Sequence, residues 1–250
     1  MTRLFFLPML GALLLPLPVL AGEVRVAVAA NFAATLQGLS EGFAAQTGHR
    51  VVASAASTGK HYAQISNGAV FDVFLAADAE RPALLEQRGL GVAGSRFTYA
   101  QGRLVLWVPD GGSLGDPRSY LTAAGFRRLA IANPRLAPYG RAAQQVLEGW
   151  QLWGPLQDRL VSGENIAQAL QFVASGNAQA GLVALAQVLA LPADRRGSYR
   201  HIPSGLHTPI EQQAMLLRAG PAAEAFLDYL KGEQAAAQML EAGYALAGRP

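Results

Sequence analysis

The chain has 250 residues, of which 20 are Lys or Arg and 17 are Asp or Glu, and its formal net charge is +3. It has no cysteine, which excludes disulfides, thiolate metal sites and a lipid-modified N-terminal cysteine. The basic residues are mostly scattered arginines without a block of interleaved aromatics, so the composition argues against nucleic-acid binding and leaves a globular protein with one large domain or two smaller lobes.

The first 21 residues have the pattern of a secretory signal peptide. Arg3 gives a positive start, the run Leu4–Leu20 is apolar, and Val19-Leu20-Ala21 resembles a small-residue cleavage site. A membrane anchor is the alternative interpretation, because the run approaches the length that spans a bilayer. Prolines within the run favour cleavage. We therefore expect secretion through a cleaved signal peptide and, since no cysteine can carry a lipid anchor, retention in the Gram-negative periplasm.

From residue 24 the chain alternates short β-type runs with amphipathic helical stretches. In this first part the strands are predicted at 24–29, 51–54 and 72–76. A first helix has Asn31 at its cap position and Leu36, Leu39 and Phe43 at helical spacing, and further helices are predicted at 58–67 and 79–88. Glycines at 48, 68 and 89 are placed to end the helices. Such alternation predicts an α/β fold with mainly parallel sheets and helices on both faces.

A second series follows a long predicted strand at 99–108. Strands at 129–132, 159–161 and 181–184 alternate with helices at 140–150 and 165–175, a second long strand covers 210–218, and helices at 221–231 and 233–242 end the chain. Two long strands that bracket a middle block predict two lobes joined by a two-strand hinge. We expect residues 22–100 plus 210–250 to form lobe I and residues 101–209 to form lobe II, inserted into it.

Four of the predicted strand-to-helix junctions carry polar turns, namely Ala30-Asn31, Ser57-Thr58, Pro138-Tyr139-Gly140 and Glu164-Asn165-Ile166. The first N–H groups of a helix lack partners and its dipole is positive there, so such an end accepts an anion. Each turn taken alone is better explained by ordinary helix capping than by a binding site. Two turns belong to each predicted lobe, however, and ligands of open α/β sheets bind at the carboxyl ends of the strands. The sequence therefore predicts an anion site in the cleft.

Five segments of the chain carry a family resemblance. They are "VAVAANFAATL" (26–36), "SAASTGKHYAQISNGAVFDVFLAAD" (54–78), "GSRFTYAQGRLVLW" (94–107), "IANPRLAPYG" (131–140) and "GLVALAQV" (181–188). In this order they resemble the periplasmic molybdate-binding proteins of ABC importers, the ModA-like solute-binding proteins, over nearly the whole mature chain. The resemblance implies a type II periplasmic-binding-protein fold and a monomeric receptor, without catalytic activity or cofactor, that delivers molybdate or tungstate to permease subunits.

The resemblance also assigns the residues that bind the oxyanion. Asn31, with Ala30 beside it, is expected to give side-chain and backbone donors, and Thr58, with Ser57 adjacent, is expected to give hydroxyl and amide donors. Ile166 is expected to give its backbone N–H.

The chain departs from the family pattern at one site position. Some members carry a ligand-binding tyrosine after "GLV", whereas Ala184 stands there in this chain. Tyr139, where those members have alanine, is expected to supply its hydroxyl from the other side.

Neutral donors suit a fully deprotonated tetrahedral dianion such as molybdate, because all its oxygens only accept. Hydrogen phosphate still bears a proton, and a pocket without an acceptor leaves that proton unmatched at a penalty of roughly 1–3 kcal/mol. Glu164 is the one carboxylate in the four turns, and we expect it to point away as a helix cap. Sulfate has the same charge pattern as molybdate, so a receptor for sulfate or another tetrahedral oxyanion is the main alternative.

A distant alternative is a serine acyl-enzyme. Ser57 and Lys60 spell the S-x-x-K motif of penicillin-recognising enzymes, and Ser175-Gly176-Asn177 resembles its S-x-N partner, but no K-T-G strand accompanies them. We expect Lys60 to be a solvated side chain that steers anions to the cleft edge. The histidines lack metal-ligand spacing and are expected to lie at the surface or to pack.

Overall fold

The computed structural model describes residues 21–112 and 114–246. The predicted signal peptide, residues 1–21, lies outside the described residues except for Ala21. Within the described ranges, none of the helices combines the length and the apolar character that a bilayer-spanning segment needs.

These ranges contain ten strands and nine α-helices. The strands are β1 (Glu23–Ala29), β2 (Arg50–Ala56), β3 (Val73–Leu75), β4 (Phe97–Gly102), β5 (Leu104–Val108), β6 (Leu129–Ala132), β7 (Leu160–Gly163), β8 (Ala180–Ala184), β9 (Ser198–His201) and β10 (Ile210–Leu216). The helices are α1 (Ala33–Thr47), α2 (Thr58–Ser66), α3 (Glu80–Gln87), α4 (Pro117–Thr122), α5 (Pro138–Gly149), α6 (Ile166–Ala174), α7 (Leu185–Leu189), α8 (Pro221–Lys231) and α9 (Glu233–Glu241).

The strands form two five-stranded sheets, and the predicted two-lobed α/β fold is confirmed. The first sheet has the order β2-β1-β3-β10-β4 and the second has the order β7-β6-β8-β5-β9. Both sheets are mixed rather than mainly parallel, because β10 runs antiparallel to β3 and β4, and β5 runs antiparallel to β8 and β9. Strands β5 and β10 each follow a place where the chain crosses from one sheet to the other. They run opposite to the parallel strands that alternate with helices, and this makes both sheets mixed.

The long strand predicted at 99–108 is interrupted at Arg103. Its first part, β4, belongs to the first sheet and its second part, β5, belongs to the second, so the chain changes sheets there. It returns through residues 202–209, between β9 and β10. The predicted lobe bounds, 22–100 plus 210–250 and 101–209, stay a prediction. We use lobe I for the first sheet with the helices packed on it, and lobe II for the second sheet with the helices packed on it.

The strand pairing brings the polar turns together. In lobe I the parallel strands β1 and β2 end side by side, with Ala29 paired with Ala56, immediately before the first two turns. In lobe II the parallel strands β6 and β7 also end side by side, with Ala132 paired with Gly163. Their carboxyl ends therefore deliver all four turns to the same cleft, as expected for an open α/β sheet.

Apolar helix faces hold these strand ends in place. The predicted inward face of α1, Leu36, Leu39 and Phe43, is buried against the first sheet, and the helix ends where Gly48 adopts a φ of 73°. That left-handed conformation favours glycine and stops the helix. In lobe II the first turn of α5 lies against the end of β6, and an added Cβ at Gly140 would lie 2.3 Å from the Ala132 carbonyl oxygen. Only glycine allows this helix to start so close to the end of β6.

Candidate functional site

A small cavity lies between the lobes where the four turns meet. The space that the centre of a water molecule can occupy in it is about 10 Å³. All six residues that the sequence assigned to the anion line it, namely Ala30, Asn31, Ser57, Thr58, Tyr139 and Ile166. The remaining lining residues are Ala29, Ala77, Ala137, Pro138 and Asn165. Among the described residues, no charged side chain is part of this lining.

Each of the four turns leaves at least one backbone N–H without an acceptor among the described residues. Within the described part of the chain, the N–H groups of Asn31, Thr58, Tyr139 and Ile166 make no hydrogen bond. Three of these residues stand in the first turn of a helix, where such groups are expected to lack intrahelical partners. The turns can therefore offer four backbone donors to one small space, from both lobes.

Ala30 contributes to the cavity in a different way. Its backbone N–H donates to the carbonyl oxygen of Ala56 at 2.9 Å, so it has no donor left for a ligand. The residue is 9% exposed and lines the cavity with its small side chain. Ala30 therefore shapes the wall of the cavity, and its small side chain lets a ligand come close to the backbone.

Two hydroxyl groups in the cavity are held as donors. The Ser57 hydroxyl oxygen accepts from the backbone N–H of Lys60 at 3.3 Å and thereby caps α2. The Thr58 hydroxyl oxygen accepts from the backbone N–H of Ala77 at 3.0 Å. A hydroxyl has one proton to donate as well as lone pairs to accept. Because a backbone N–H already occupies a lone pair of each oxygen, each hydroxyl proton is free to meet an acceptor in the cavity.

The Tyr139 hydroxyl has a similar environment. The side-chain nitrogen of Gln212 approaches its oxygen at 3.5 Å, and the tyrosine is only 1% exposed. Burial raises the pKa of Tyr139 well above its usual value, with the nearby Tyr244 acting in the same direction. The group therefore stays protonated at any physiological pH and keeps its donor capacity.

Asn31 does not cap α1, although its position in the sequence suggested a cap. The N-cap residue is Phe32, which makes no side-chain cap bond. The Asn31 side-chain nitrogen instead donates to the Gln212 side-chain oxygen at 3.0 Å and to the Tyr244 hydroxyl at 3.2 Å. The side chain is thus held from behind, and the backbone N–H is the Asn31 donor left for a ligand.

A layer of buried polar residues behind the cavity was missed by sequence reasoning. Gln212, Tyr99 and Tyr244 are at most 4% exposed and are joined through hydrogen bonds to Asn31 and to one another. The signal in the sequence is Gln212 itself, which stands at a buried position of β10, two residues from the buried Ile210 and Ala214, where a polar side chain is unusual.

The two lobes are in direct contact around the cavity. The backbone N–H of Gly59 donates to the Leu136 carbonyl oxygen at 2.8 Å, and an Arg81 guanidinium nitrogen donates to the Arg135 carbonyl oxygen at 3.0 Å. At the rim, Arg141 and Glu80 form an ion pair at 2.8 Å. These contacts join lobe I to lobe II, so the structure represents the closed arrangement of the lobes.

Glu164 does not cap α6, which corrects the role expected for it. The cap is Asn165, whose side-chain oxygen accepts from the backbone N–H groups of Ala167 at 2.9 Å and Gln168 at 3.1 Å. The Glu164 carboxylate lies at the rim, 3.5 Å from the Lys60 ammonium nitrogen. It is outside the cavity lining, as expected, but an ion pair rather than a cap holds it there.

A model of the bacterial extracellular solute-binding protein family matches residues 24–245 of the chain. The chain belongs to this family. It is 49% identical to the molybdate-binding protein ModA of Azotobacter vinelandii over 240 residues, which cover 95% of each chain. It is 42% identical to ModA of Rhodobacter capsulatus, over 92% of this chain and 91% of that one. These relatives confirm the resemblance that the sequence motifs carried.

The fold of this solute-binding protein agrees with a solved structure of one relative. The periplasmic molybdate-binding protein of Azotobacter vinelandii superposes with a TM-score of 0.84 at 42% sequence identity. The match covers 89% of this chain and 99% of that one. The two-lobed architecture expected from the resemblance is thereby confirmed.

The residues of the serine-enzyme alternative are not assembled in this solute-binding protein. The Lys60 ammonium pairs with Glu164, whereas the partner of the Ser57 hydroxyl within the described ranges is the Lys60 backbone N–H. Ser175 and Asn177 are exposed and bonded to each other at 2.9 Å, and neither lines the cavity. A nucleophile without a base beside it cannot be activated for acyl transfer.

Proposed function

We propose that this solute-binding protein is a periplasmic receptor that captures molybdate, and also tungstate, between its lobes and delivers it to an ABC importer. The observation that supports this most directly is the donor-only character of the cavity. Four backbone N–H groups and the hydroxyls of Ser57, Thr58 and Tyr139 are available there, and no carboxylate of the described residues takes part in the lining. The names of the relatives at 49% and 42% identity point to the same ligand.

Neutral donors can hold a dianion when several act together in a dry space. Each helix N-terminus contributes about 0.3–1 kcal/mol, and up to about 2 kcal/mol when partly buried. Hydrogen bonds to a charged partner are stronger than those between neutral groups. The helix N-termini and the hydrogen bonds contribute this much only if water is excluded from the cavity, and the contacts between the lobes exclude it. Closure would also serve as the signal, because a transporter that touches both lobes distinguishes the loaded form.

The proposed chemistry includes a rejection of phosphate. Hydrogen phosphate needs an acceptor for its proton, whereas the available polar groups of the cavity are N–H and O–H donors. Sulfate carries no proton at neutral pH and differs from molybdate in size, so a sulfate receptor remains the second candidate. The small cavity distinguishes the two anions by fit rather than by charge.

Calorimetric titration of the mature protein with molybdate, tungstate, sulfate and hydrogen phosphate tests the proposal. We expect tight binding of molybdate and tungstate, weaker binding of sulfate and much weaker, still measurable binding of phosphate. Mass spectrometry of protein purified from the periplasm, with molybdate in the growth medium, is expected to detect bound molybdenum. Tighter binding of sulfate than of molybdate would identify the alternative receptor, and acylation of Ser57 by a penicillin would identify the enzyme.

Delivery to the importer requires that the protein is exported and acts as a free receptor. We infer a monomer, cleavage after Ala21 and permease subunits as partners. N-terminal sequencing of the periplasmic fraction and light scattering of the purified protein test the first two inferences. A dimer, or a chain retained in the membrane fraction with its first 21 residues, would contradict them.

A further inference from the structure

Gln212 is a fully buried polar residue in a strand that borders the lobe crossing. It is 0% exposed, lies near the start of β10, and is followed by a register irregularity between Gln212 and Gln213. Burying a side-chain amide is unfavourable unless both its ends find partners. Its two ends contact residues of different lobes.

The oxygen end of the Gln212 amide contacts lobe I. It accepts from the Asn31 side-chain nitrogen and from the Tyr99 hydroxyl, each at 3.0 Å. The direction of these bonds follows from a backbone group: the Tyr244 hydroxyl donates to the Asn31 carbonyl oxygen at 2.9 Å and therefore accepts from the Asn31 side-chain nitrogen. The Asn31 side-chain nitrogen therefore faces Gln212, and the Gln212 amide must present its oxygen there to accept from it.

The nitrogen end of the same amide therefore faces lobe II. It lies 3.5 Å from the Tyr139 hydroxyl oxygen. An amide nitrogen only donates, so it occupies a lone pair of Tyr139 and cannot take the tyrosine proton. Gly102 closes the remaining space, because a Cβ there would lie 2.2 Å from the Tyr139 oxygen and 2.9 Å from the Gln212 nitrogen.

We propose that Gln212 is a positioning residue that fixes the hydrogen-bond polarity of the site and thereby its selectivity. Through its nitrogen it holds the Tyr139 hydroxyl as a donor, and through its oxygen it holds Asn31. A Tyr139 hydroxyl that already accepts from Gln212 presents its proton to the anion and is a poorer acceptor for the proton of a protonated one. The inference rests on the proposed oxyanion function and adds to it the origin of the discrimination between molybdate and hydrogen phosphate.

The first test replaces Gln212 with a side chain of similar length that neither donates nor accepts strongly, Gln212→Met. Folding is expected to survive, because the Tyr99 hydroxyl can direct its proton to the Ala76 carbonyl oxygen, 3.2 Å away, and the Asn31 side-chain nitrogen still donates to Tyr244. Molybdate is titrated calorimetrically at mildly alkaline pH into protein in buffers of rising phosphate concentration. We expect molybdate affinity to fall about tenfold and phosphate to compete at about tenfold lower concentration, as for the loss of one oriented hydrogen bond.

The matched control is Gln213→Met, since Gln213 faces away and bonds to Arg96 and Thr98. It is expected to leave both affinities unchanged. The same Gln212→Met change in a Tyr139→Phe background is expected to leave the ratio of the two affinities unchanged, because the group through which Gln212 acts is gone. A ratio that is the same in Gln212→Met and wild type, or that shifts equally in both backgrounds, would overturn the inference.

Gln212→Glu keeps the inference testable if the methionine variant fails to fold. Its ionised carboxylate accepts a hydrogen bond from the Tyr139 hydroxyl, which then no longer donates to the anion. We therefore expect a larger loss of molybdate affinity, and this loss should increase with pH. A pH-independent effect would contradict this. If the wild-type protein binds no tetrahedral oxyanion at all, the proposed function fails and this inference fails with it, whereas tight wild-type binding with an unchanged ratio removes only the role of Gln212.

Discussion

The backbone N–H of Gly59 donates to the carbonyl oxygen of Leu136 across the cleft, at 2.8 Å. Gly59 is the second residue of α2 in lobe I, and Leu136 precedes α5 in lobe II. The helix that supplies Thr58 to the cavity is therefore joined through its backbone to the segment that leads into the helix that supplies Tyr139. This bond can form only when the lobes are closed. It also requires that the residue at position 59 of α2 has no side chain.

A methyl group at Gly59 is expected to obstruct closure. Its Cβ would lie 2.8 Å from the Leu136 carbonyl oxygen and 3.1 Å from the Leu136 Cα, and neither backbone atom can move aside without shifting the lobe. Gly59→Ala should therefore weaken molybdate binding by about tenfold or more, with the melting temperature unchanged or slightly raised, since alanine favours helix. Small-angle scattering with molybdate should show a more open molecule.

Gly38→Ala is the control for this change. Gly38 also lies in a helix of lobe I, and a Cβ there has only the flexible Gln238 side chain near it, at 3.9 Å. Binding by this variant is expected to equal that of the wild-type protein. Unchanged affinity in Gly59→Ala would show that the lobes do not need the Gly59–Leu136 contact to hold the ligand.

The Thr58 hydroxyl is expected to contribute both to binding and to stability. Thr58→Val keeps the shape but removes the donor, so molybdate affinity should fall by about ten- to a hundredfold, the range for a hydrogen bond to a charged group. The variant also leaves the buried Ala77 N–H without its acceptor, and we expect the free energy of unfolding to fall by about 1–3 kcal/mol. Thr58→Ser retains the hydroxyl and should restore most of both. Equal affinities in the valine and serine variants would exclude the hydroxyl as a ligand donor.

The positions of the polar turns could be predicted from the sequence, because a turn follows directly from the end of its own strand. The layer behind them could not, since Gln212 is 181 residues from Asn31 and no local pattern relates the two. The break at Arg103 was missed for a similar reason. A long β-type run such as 99–108 fits either sheet equally well, and only the partner strand decides which sheet each half joins.

Lys60 and Glu164 form an ion pair at the rim that is expected to affect the rate of binding rather than its strength. Their side chains are 52% and 61% exposed, and exposed pairs contribute little to stability. Lys60→Gln should lower the association rate of molybdate a few-fold at low salt, and Glu164→Gln should raise it, because each changes the charge that an incoming anion meets. Both effects should disappear at high salt. Stopped-flow measurements that instead show a faster dissociation rate in Lys60→Gln would make Lys60 a ligand.

His61 links the stability of α2 to pH. The ring is fully buried and lies against Phe71 and Phe74. Burial lowers the pKa of His61 below its usual value of 6.5, and this effect outweighs the hydrogen bonds to Gln64 and Val28, which oppose it. The unfolded chain therefore takes up a proton at a higher pH than the folded one.

The sign of the pH dependence follows from that difference. Above about pH 6.5 the histidine is neutral in both states and adds no pH dependence, whereas below it the free energy of unfolding should fall by up to about 1.4 kcal/mol per pH unit until the folded pKa is reached. His61→Gln should remove this contribution, and His201→Gln, which changes an exposed histidine, should retain it. Urea unfolding between about pH 5.5 and 7.5 measures the three slopes. Parallel curves for the wild-type protein and His61→Gln would show that the ring titrates normally in the folded protein, and hence that its burial among the aromatic side chains leaves its proton affinity unchanged.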